Sequence, residues 1–141
     1  MRGLFRAKTL YSESKFVYGF YVAEECNNGT RHVIFENGKE VYWCDGRTVG
    51  EFTGACDKNG TKIFEGDIIQ VITGDTGKKR QAEVKIGKFI DCNAGDNFIG
   101  VYIEFDGLQV SILQEDGEIL KHGEVIGNIH DNPGLLGEGG Q

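Results

Sequence analysis

Long helical periodicity is absent from this sequence, and proline is nearly so, with Pro 1 in 141 residues. The first absence argues against a helical bundle, the second against a proline-rich tract. No apolar run approaches the roughly 20 residues that cross a bilayer as a helix. The opening MRGLFRAKTL lacks the apolar stretch of about 7–15 residues that marks a signal peptide. The expected compartment is the cytoplasm, where Cys26, Cys44, Cys56 and Cys92 stay reduced. No two of them form a Cys-x-x-Cys pair, and zinc sites are usually anchored by one such close pair. His122 and His130 stand near the C-terminus without an obvious partner, so neither metal nor cofactor is expected. Positive charge is also short. Lys and Arg number 15 against 22 Asp and Glu, giving a net charge of −7. A surface of that sign does not attract the phosphate backbone as a whole.

Glycine and aromatics are plentiful: Gly 22, Phe 9 and Tyr 5. Many glycines with almost no proline indicate tight turns, and the aromatics favour strands. Short alternating runs separated by Gly, Asn and Asp recur along the chain. Phe16–Val22 reads as a strand, Asn27-Asn28-Gly29 as a turn and Arg31–Phe35 as the return strand. Asn37-Gly38 turns again into Glu40–Cys44, and Asp45-Gly46 makes a third turn. Residues 1–53 are therefore expected to form an antiparallel meander. Val49–Thr53 leads into Asp57-Lys58-Asn59-Gly60, a type I turn with glycine at its end. Thr61–Phe64, Ile68–Thr73, Gln81–Ile86, Phe98–Phe105, Leu108–Leu113 and Val125–Ile129 read as further strands, with Ile99, Val101, Ile103 and Phe105 sharing one face. This run of short strands suggests a small SH3-like barrel over residues 54–136, on which the meander packs. Residues 137–141 are expected to be a flexible tail, within a glycine-rich end that frays from Gly134. The expected class is mostly β with little helix.

Two segments resemble a known family. Phe52-Thr53-Gly54, Asp57-Lys58-Asn59-Gly60 and Ile63-Phe64-Glu65-Gly66-Asp67-Ile68-Ile69 look like the hallmark of the YopX family of phage and prophage proteins. Glu124-Val125-Ile126-Gly127-Asn128-Ile129-His130-Asp131-Asn132-Pro133, followed by Leu135-Leu136, resembles that family's closing motif, and Leu4-Phe5-Arg6-Ala7 its start. The chain departs from the pattern at Gly134, where an acidic residue is common. The resemblance implies a small, β-rich, phage-encoded protein of a bacterial host cell that assembles into oligomers. It implies no enzyme and carries over no catalytic residue. The motif positions Thr53, Gly54, Asp57, Gly60, Glu65, Gly66, Asp67, Gly127, Asn128 and Pro133 are read as structural.

Four constellations bear on function. Asp57, Glu65 and Asp67 lie close in sequence and could serve a carboxylate-dependent hydrolase. Asx turns, in which an aspartate accepts from backbone N–H groups two residues on, account for Asp57 and Asp67 more simply. Gly74–Lys79 faintly suggests a phosphate loop, but its glycine spacing is wrong and no helix follows. Lys78, Lys79, Arg80, Lys85 and Lys88 form a basic stripe. It could contact nucleic acid, with Phe89 or Tyr102 stacking a base, although Glu83 interrupts it. In the first half, aromatics fall on both faces of their strands. Tyr18 and Phe20 oppose Tyr21, and Trp43 opposes Tyr42, so one face can be core and the other an interface with a second copy or with a phage or host protein. The leading expectation is a phage accessory protein that binds protein and self-assembles without catalysis. A nucleic-acid-associated module is the alternative.

Overall fold

The computed structural model describes residues 3–72, 77–92, 95–111 and 123–139. The chain divides into two compact units, Met1–Phe52 and Thr53–Gln141. Both are built from antiparallel strands.

In the first unit the strands are β1 (Phe5–Lys8), β2 (Phe16–Cys26), β3 (Gly29–Glu36), β4 (Glu40–Cys44) and β5 (Gly50–Cys56), in the order β4-β3-β2-β1-β5. The turn between β3 and β4 works because Asn37 (φ 54°) and Gly38 (φ 70°) both take left-handed backbone, the conformation that matches strand twist. Asp45 caps a single 3-10 turn, Gly46–Thr48, by accepting from the Arg47 N–H at 3.0 Å. The sheet curls. Just past β1, Thr9 makes an isolated bridge to Cys44, Leu10 N–H donates to Trp43 O at 3.0 Å, and Asp45 N–H donates to Lys8 O at 2.9 Å. The inside of the curl holds Ala7, Val17, Ile34 and Cys44, with Phe5, Tyr21, Tyr42 and Val49 packed against them.

The second unit adds β6 (Lys62–Phe64), β7 (Asp67–Ile72), β8 (Lys79–Ile90), β9 (Asn97–Phe105), β10 (Leu108–Ser111) and β11 (Glu124–Asn128), followed by a short helix α1 (Gly134–Gly139). Five of these strands make one sheet in the order β10-β9-β8-β7-β11. Alternation puts Ile69, Val71, Ala82, Val84, Val101, Ile103 and Val110 on one face, where Ile63 of β6 joins them in the core. Ile86, Phe105 and Val125 pack partly buried against it.

Three expectations change here. The sheet of the second unit is open, so an SH3-like closure is not formed among the described residues. Its outer strands β10 and β11 are short, and non-strand backbone covers their outer edges instead of a closing partner. Cys92 N–H donates to Gln109 O at 2.9 Å, and Lys58 N–H donates to Gly123 O at 3.1 Å. Ile99, placed by alternation on the core face, is 79% exposed because β8 and β9 extend past the core. Residues 134–139, expected to fray despite their glycines, form α1, begun by a Leu135 N–H bond to Asn132 O at 3.1 Å. Thr73, most of the Gly74–Lys79 loop and His122 lie outside the described residues.

Candidate functional site

The two sequence motifs meet in the second unit. Asp57 follows β5 and is only 7% exposed. Its Oδ1 accepts from Asn59 N–H and Thr61 N–H, each at 2.9 Å, which is the Asx-turn chemistry expected of it. Its Oδ2 accepts from Val125 N–H at 2.8 Å, on β11 of the closing motif. Burial pushes this carboxyl up, but the three backbone donors and nearby Lys58 outweigh it and hold Asp57 below the usual carboxylate range. Around that contact, Asn59 Nδ2 donates to Glu124 Oε2 at 3.2 Å, and Lys58 Nζ stands 4.0 Å from Glu124 Oε1. Gly66 joins the motifs again. Its carbonyl accepts from Ile129 N–H at 2.9 Å, and its own N–H donates to Val84 O at 2.9 Å. Asn128 caps the closing turn, its Oδ1 accepting from His130 N–H at 3.0 Å and Asp131 N–H at 2.9 Å. Asn132 Oδ1 accepts from Asn128 N–H at 3.2 Å. Gly127 lies where a side chain would run into Asn132 and Leu135. Thr53 Oγ1 donates to Ile63 O at 2.7 Å and ties β5 to β6.

Asp67, 2% exposed, differs from the Asx turn expected of it. Its Oδ2 accepts from Phe64 N–H at 2.8 Å, three residues upstream. The reason is geometric. Asp67 already belongs to β7, so its side chain turns back across the Glu65-Gly66 bend to the end of β6. Sequence reasoning missed Asp91, which is 1% exposed. It sits just beyond β8, and its Oδ2 accepts from Ser111 N–H of β10 at 3.0 Å. An acidic residue ending a long alternating strand was the available signal. Asp57, Asp67 and Asp91 thus share one task. Each spends a carboxylate oxygen on a strand N–H that has no ladder partner there.

The basic stripe does not hold together as one surface. Lys79 and Lys85 lie on one side of β8 and Arg80 and Lys88 on the other, by strand alternation. Arg80 pairs with Asp106 at 3.3 Å, and Lys85 with Glu104 at 2.9 Å. Gln109 Nε2 donates to Glu104 Oε1 at 3.0 Å. The bonds from Gln109 and Lys85 lower the Glu104 carboxyl, while burial raises that of Glu83 beside them. Lys78, Lys79 and Lys88 are exposed. Phe89 and Tyr102, expected as stacking platforms, are buried and stack on each other with centroids 4.6 Å apart.

The aromatic residues of the first unit divide by face. Register pairs Phe20 with Phe35 and Val22 with Val33 across β2 and β3, then Phe35 with Val41 and Val33 with Trp43 across β3 and β4. Tyr18, Phe20, Val41 and Trp43 are therefore on the outer face, and each is between 42% and 59% exposed. Phe35 is half-buried among them, and the Arg31 guanidinium lies 4.7 Å over the Trp43 ring while pairing with Glu24 at 3.6 Å. Tyr18, Phe20, Phe35 and Glu36 line an open groove of about 500 Å³. Tyr21 and Tyr42 face inward. Tyr21 Oη is 2.7 Å from His32 Nδ1, and Tyr42 packs on the core. Cys44 pairs across the strands with His32, but burial pushes its thiol up and it donates to Tyr42 O at 3.5 Å, so it is no ready thiolate. No group of His, Cys, Asp and Glu among the described residues could hold a metal ion, and no described helix is long and apolar enough to cross a membrane.

Among curated proteins nothing matches this chain. The family model described as YopX protein matches residues 4–137, a span that holds both the Asp57–Asp67 segment and the closing Gly127–Pro133 turn to which it is bonded. With nearly its whole length matched, this chain belongs to the YopX family.

Proposed function

We propose that this protein is a non-catalytic phage or prophage accessory protein that works by binding protein, and first of all a second copy of itself, through the outer aromatic face of its first unit. The observation that carries the reading is the set Tyr18, Phe20, Val41 and Trp43, four large apolar side chains on one sheet face, each about half exposed. Large side chains of this kind bury about 150–250 Å² apiece when covered, so half-exposed they offer about 400 Å². A standard interface takes roughly 800 Å² per partner, and the apolar share here suits the core of a homodimer contact. Sheets that pack face to face interdigitate side chains from two such surfaces. The edges of the same sheet are poor candidates, since Leu10, Asp45 and the Tyr11 hydroxyl already bond along β4. The acidic groups favour the non-enzymatic reading, because Asp57 and Asp67 give carboxylate oxygens to backbone donors. No cofactor enters this reading, and the working compartment is the bacterial cytoplasm.

Light scattering from micromolar to millimolar concentration tests it. The expected result is a mass that rises with concentration in the native chain and stays monomeric in a Phe20→Ser, Trp43→Ser variant. A native chain that remains monomeric throughout removes self-assembly. Capture of a phage or host protein that is lost in the same variant would then leave the face as a site for a different partner. Salt-sensitive binding of single-stranded DNA or RNA by the native chain, abolished by Lys79→Gln and Lys88→Gln, would instead favour the nucleic-acid reading.

A further inference from the structure

Strand β11 stands apart from the other strands of its sheet. It is an edge strand, and every one of its five residues is only half-buried. The strand beneath it, β7, is the most deeply buried of the sheet, with Ile68 at 0%, Ile69 at 1% and Val71 at 6% exposure. The two pair from Glu124↔Gln70 to Asn128↔Asp67, with a register shift between Val125 and Gly127 that weakens the ladder in its middle. What secures the outer side of β11 is not a strand but the turn at 57–61. That turn supplies Asp57 Oδ2 to Val125 N–H, Lys58 N–H to Gly123 O, Asn59 Nδ2 to Glu124 Oε2 and Lys58 Nζ near Glu124 Oε1.

We infer that the 57–61 turn is a latch, and that β7 is a strand-acceptor edge whose matched occupant, once the latch is released, is β11 of a second copy. The occupant follows from the register. A β11 strand from another copy reproduces each β7 bond and the Val125 contact with the core, so exchange sacrifices no contact within the sheet. Only the latch discriminates, because it fastens β11 on its outer side with groups that β7 does not supply. An apolar strand edge such as β7 needs such a cover, since uncovered it invites pairing by another chain. This inference is independent of the aromatic face and concerns the other unit.

A cysteine trap tests it. Gln70 and Glu124 are register partners outside the core, at a spacing that suits a disulfide. In a chain whose exposed Cys26, Cys56 and Cys92 are replaced by Ser, Gln70→Cys and Glu124→Cys together should oxidise within one molecule and so verify the register. Mixed single variants, one copy carrying Gln70→Cys and the other Glu124→Cys, form a disulfide dimer only when β11 has changed molecules. The expected yield is low with the native turn and at least 5-fold higher when both copies also carry Asp57→Asn. Lys58→Pro is the second release variant. It removes the bond to Gly123 O and the Glu124 pair, yet proline suits the second position of a type I turn, so folding is retained. Equal yields with and without release, whether both low or both high, overturn the inference, provided circular dichroism shows at least one release variant folded.

Discussion

Replacing Asp57 with alanine removes three backbone hydrogen bonds at once, those from Asn59, Thr61 and Val125. A hydrogen bond to a charged group contributes roughly 1.5–3 kcal/mol, and part of that is offset by the cost of burying the carboxylate. Three donors left in a site 7% exposed should cost about 3–5 kcal/mol. Against a stability of about 5–15 kcal/mol this is a large share. For a unit of this size it lowers the melting temperature by about 15 °C or more. Asp57→Asn keeps one acceptor oxygen but turns an N–H2 towards a donor, and should lose about half as much.

The pH dependence separates charge from shape. The folded Asp57 carboxyl titrates below its unfolded value, so its contribution is complete above about pH 4 and is lost as pH falls through the folded value. The stability gap between the native chain and Asp57→Ala should be constant from pH 7 to 5 and narrow below pH 4. Trp43 reports on the first unit, so the assay for the second is denaturant unfolding by circular dichroism, with amide exchange read at Asn59, Thr61 and Val125. An Asp57→Ala cost under about 1 kcal/mol, or a gap that persists unchanged to pH 2, would refute the account of this carboxylate as a charged acceptor of backbone bonds.

Gly19→Ala should destabilise the first unit by roughly 1–3 kcal/mol, seen as earlier loss of Trp43 fluorescence, because its Cβ would land on the Phe35 carbonyl oxygen of the neighbouring strand. Arg31→Ala should leave the fold intact and shift Trp43 emission to the red, by uncovering the indole that the guanidinium now shields at 4.7 Å. Glu83→Gln should raise the melting temperature at pH 7. Burial and neighbouring Glu104 push the Glu83 carboxyl up against the pull of Lys85, so its ionised form is costly at neutral pH. The difference should vanish below pH 4, where the glutamate is protonated in both the folded and unfolded chain.

The strands of the first unit were legible because their turns are spelled in Asn-Gly and Asp-Gly and their faces in strict alternation. Glu40–Cys44 appears as β4 with the bounds read from the sequence, and Tyr18 and Phe20 lie on the face opposite Tyr21. Alternation is a local signal, and it fails where depth depends on where the sheet ends. Ile99 has the parity of Val101 and Ile103 but lies beyond the core that covers them. Closure was illegible for a similar reason. A run of short strands does not say whether the last one meets the first, and here residues 57–58 and 90–92 reach the outer strands with loop backbone instead. The basic stripe looked continuous because sequence proximity hides both the alternation of β8 and the partners, Asp106 and Glu104, that other strands bring to it. Asp91 carried no motif, and only the fold shows which N–H it serves.

The three buried aspartates also constrain where recognition can occur. A free strand edge binds other chains through its backbone, and each of these carboxylates occupies such a backbone position: Val125 on β11, Phe64 on β6, Ser111 on β10. An aspartate at 1–7% exposure is costly to bury, and an apolar residue there would leave the N–H unpaired. The charge is therefore tolerated for its acceptor oxygens, and the outcome is a set of sheet margins unsuited to strand addition in the latched state. Recognition is left to sheet faces. Of these, the outer face of the first unit carries Tyr18, Phe20, Val41 and Trp43, whereas the polar face of β8 and β9 spends Lys85, Glu104 and Gln109 on one another. A partner that docks on the aromatic face should accordingly be insensitive to salt and lost on Phe20→Ser. One that adds a strand should require release of the 57–61 turn.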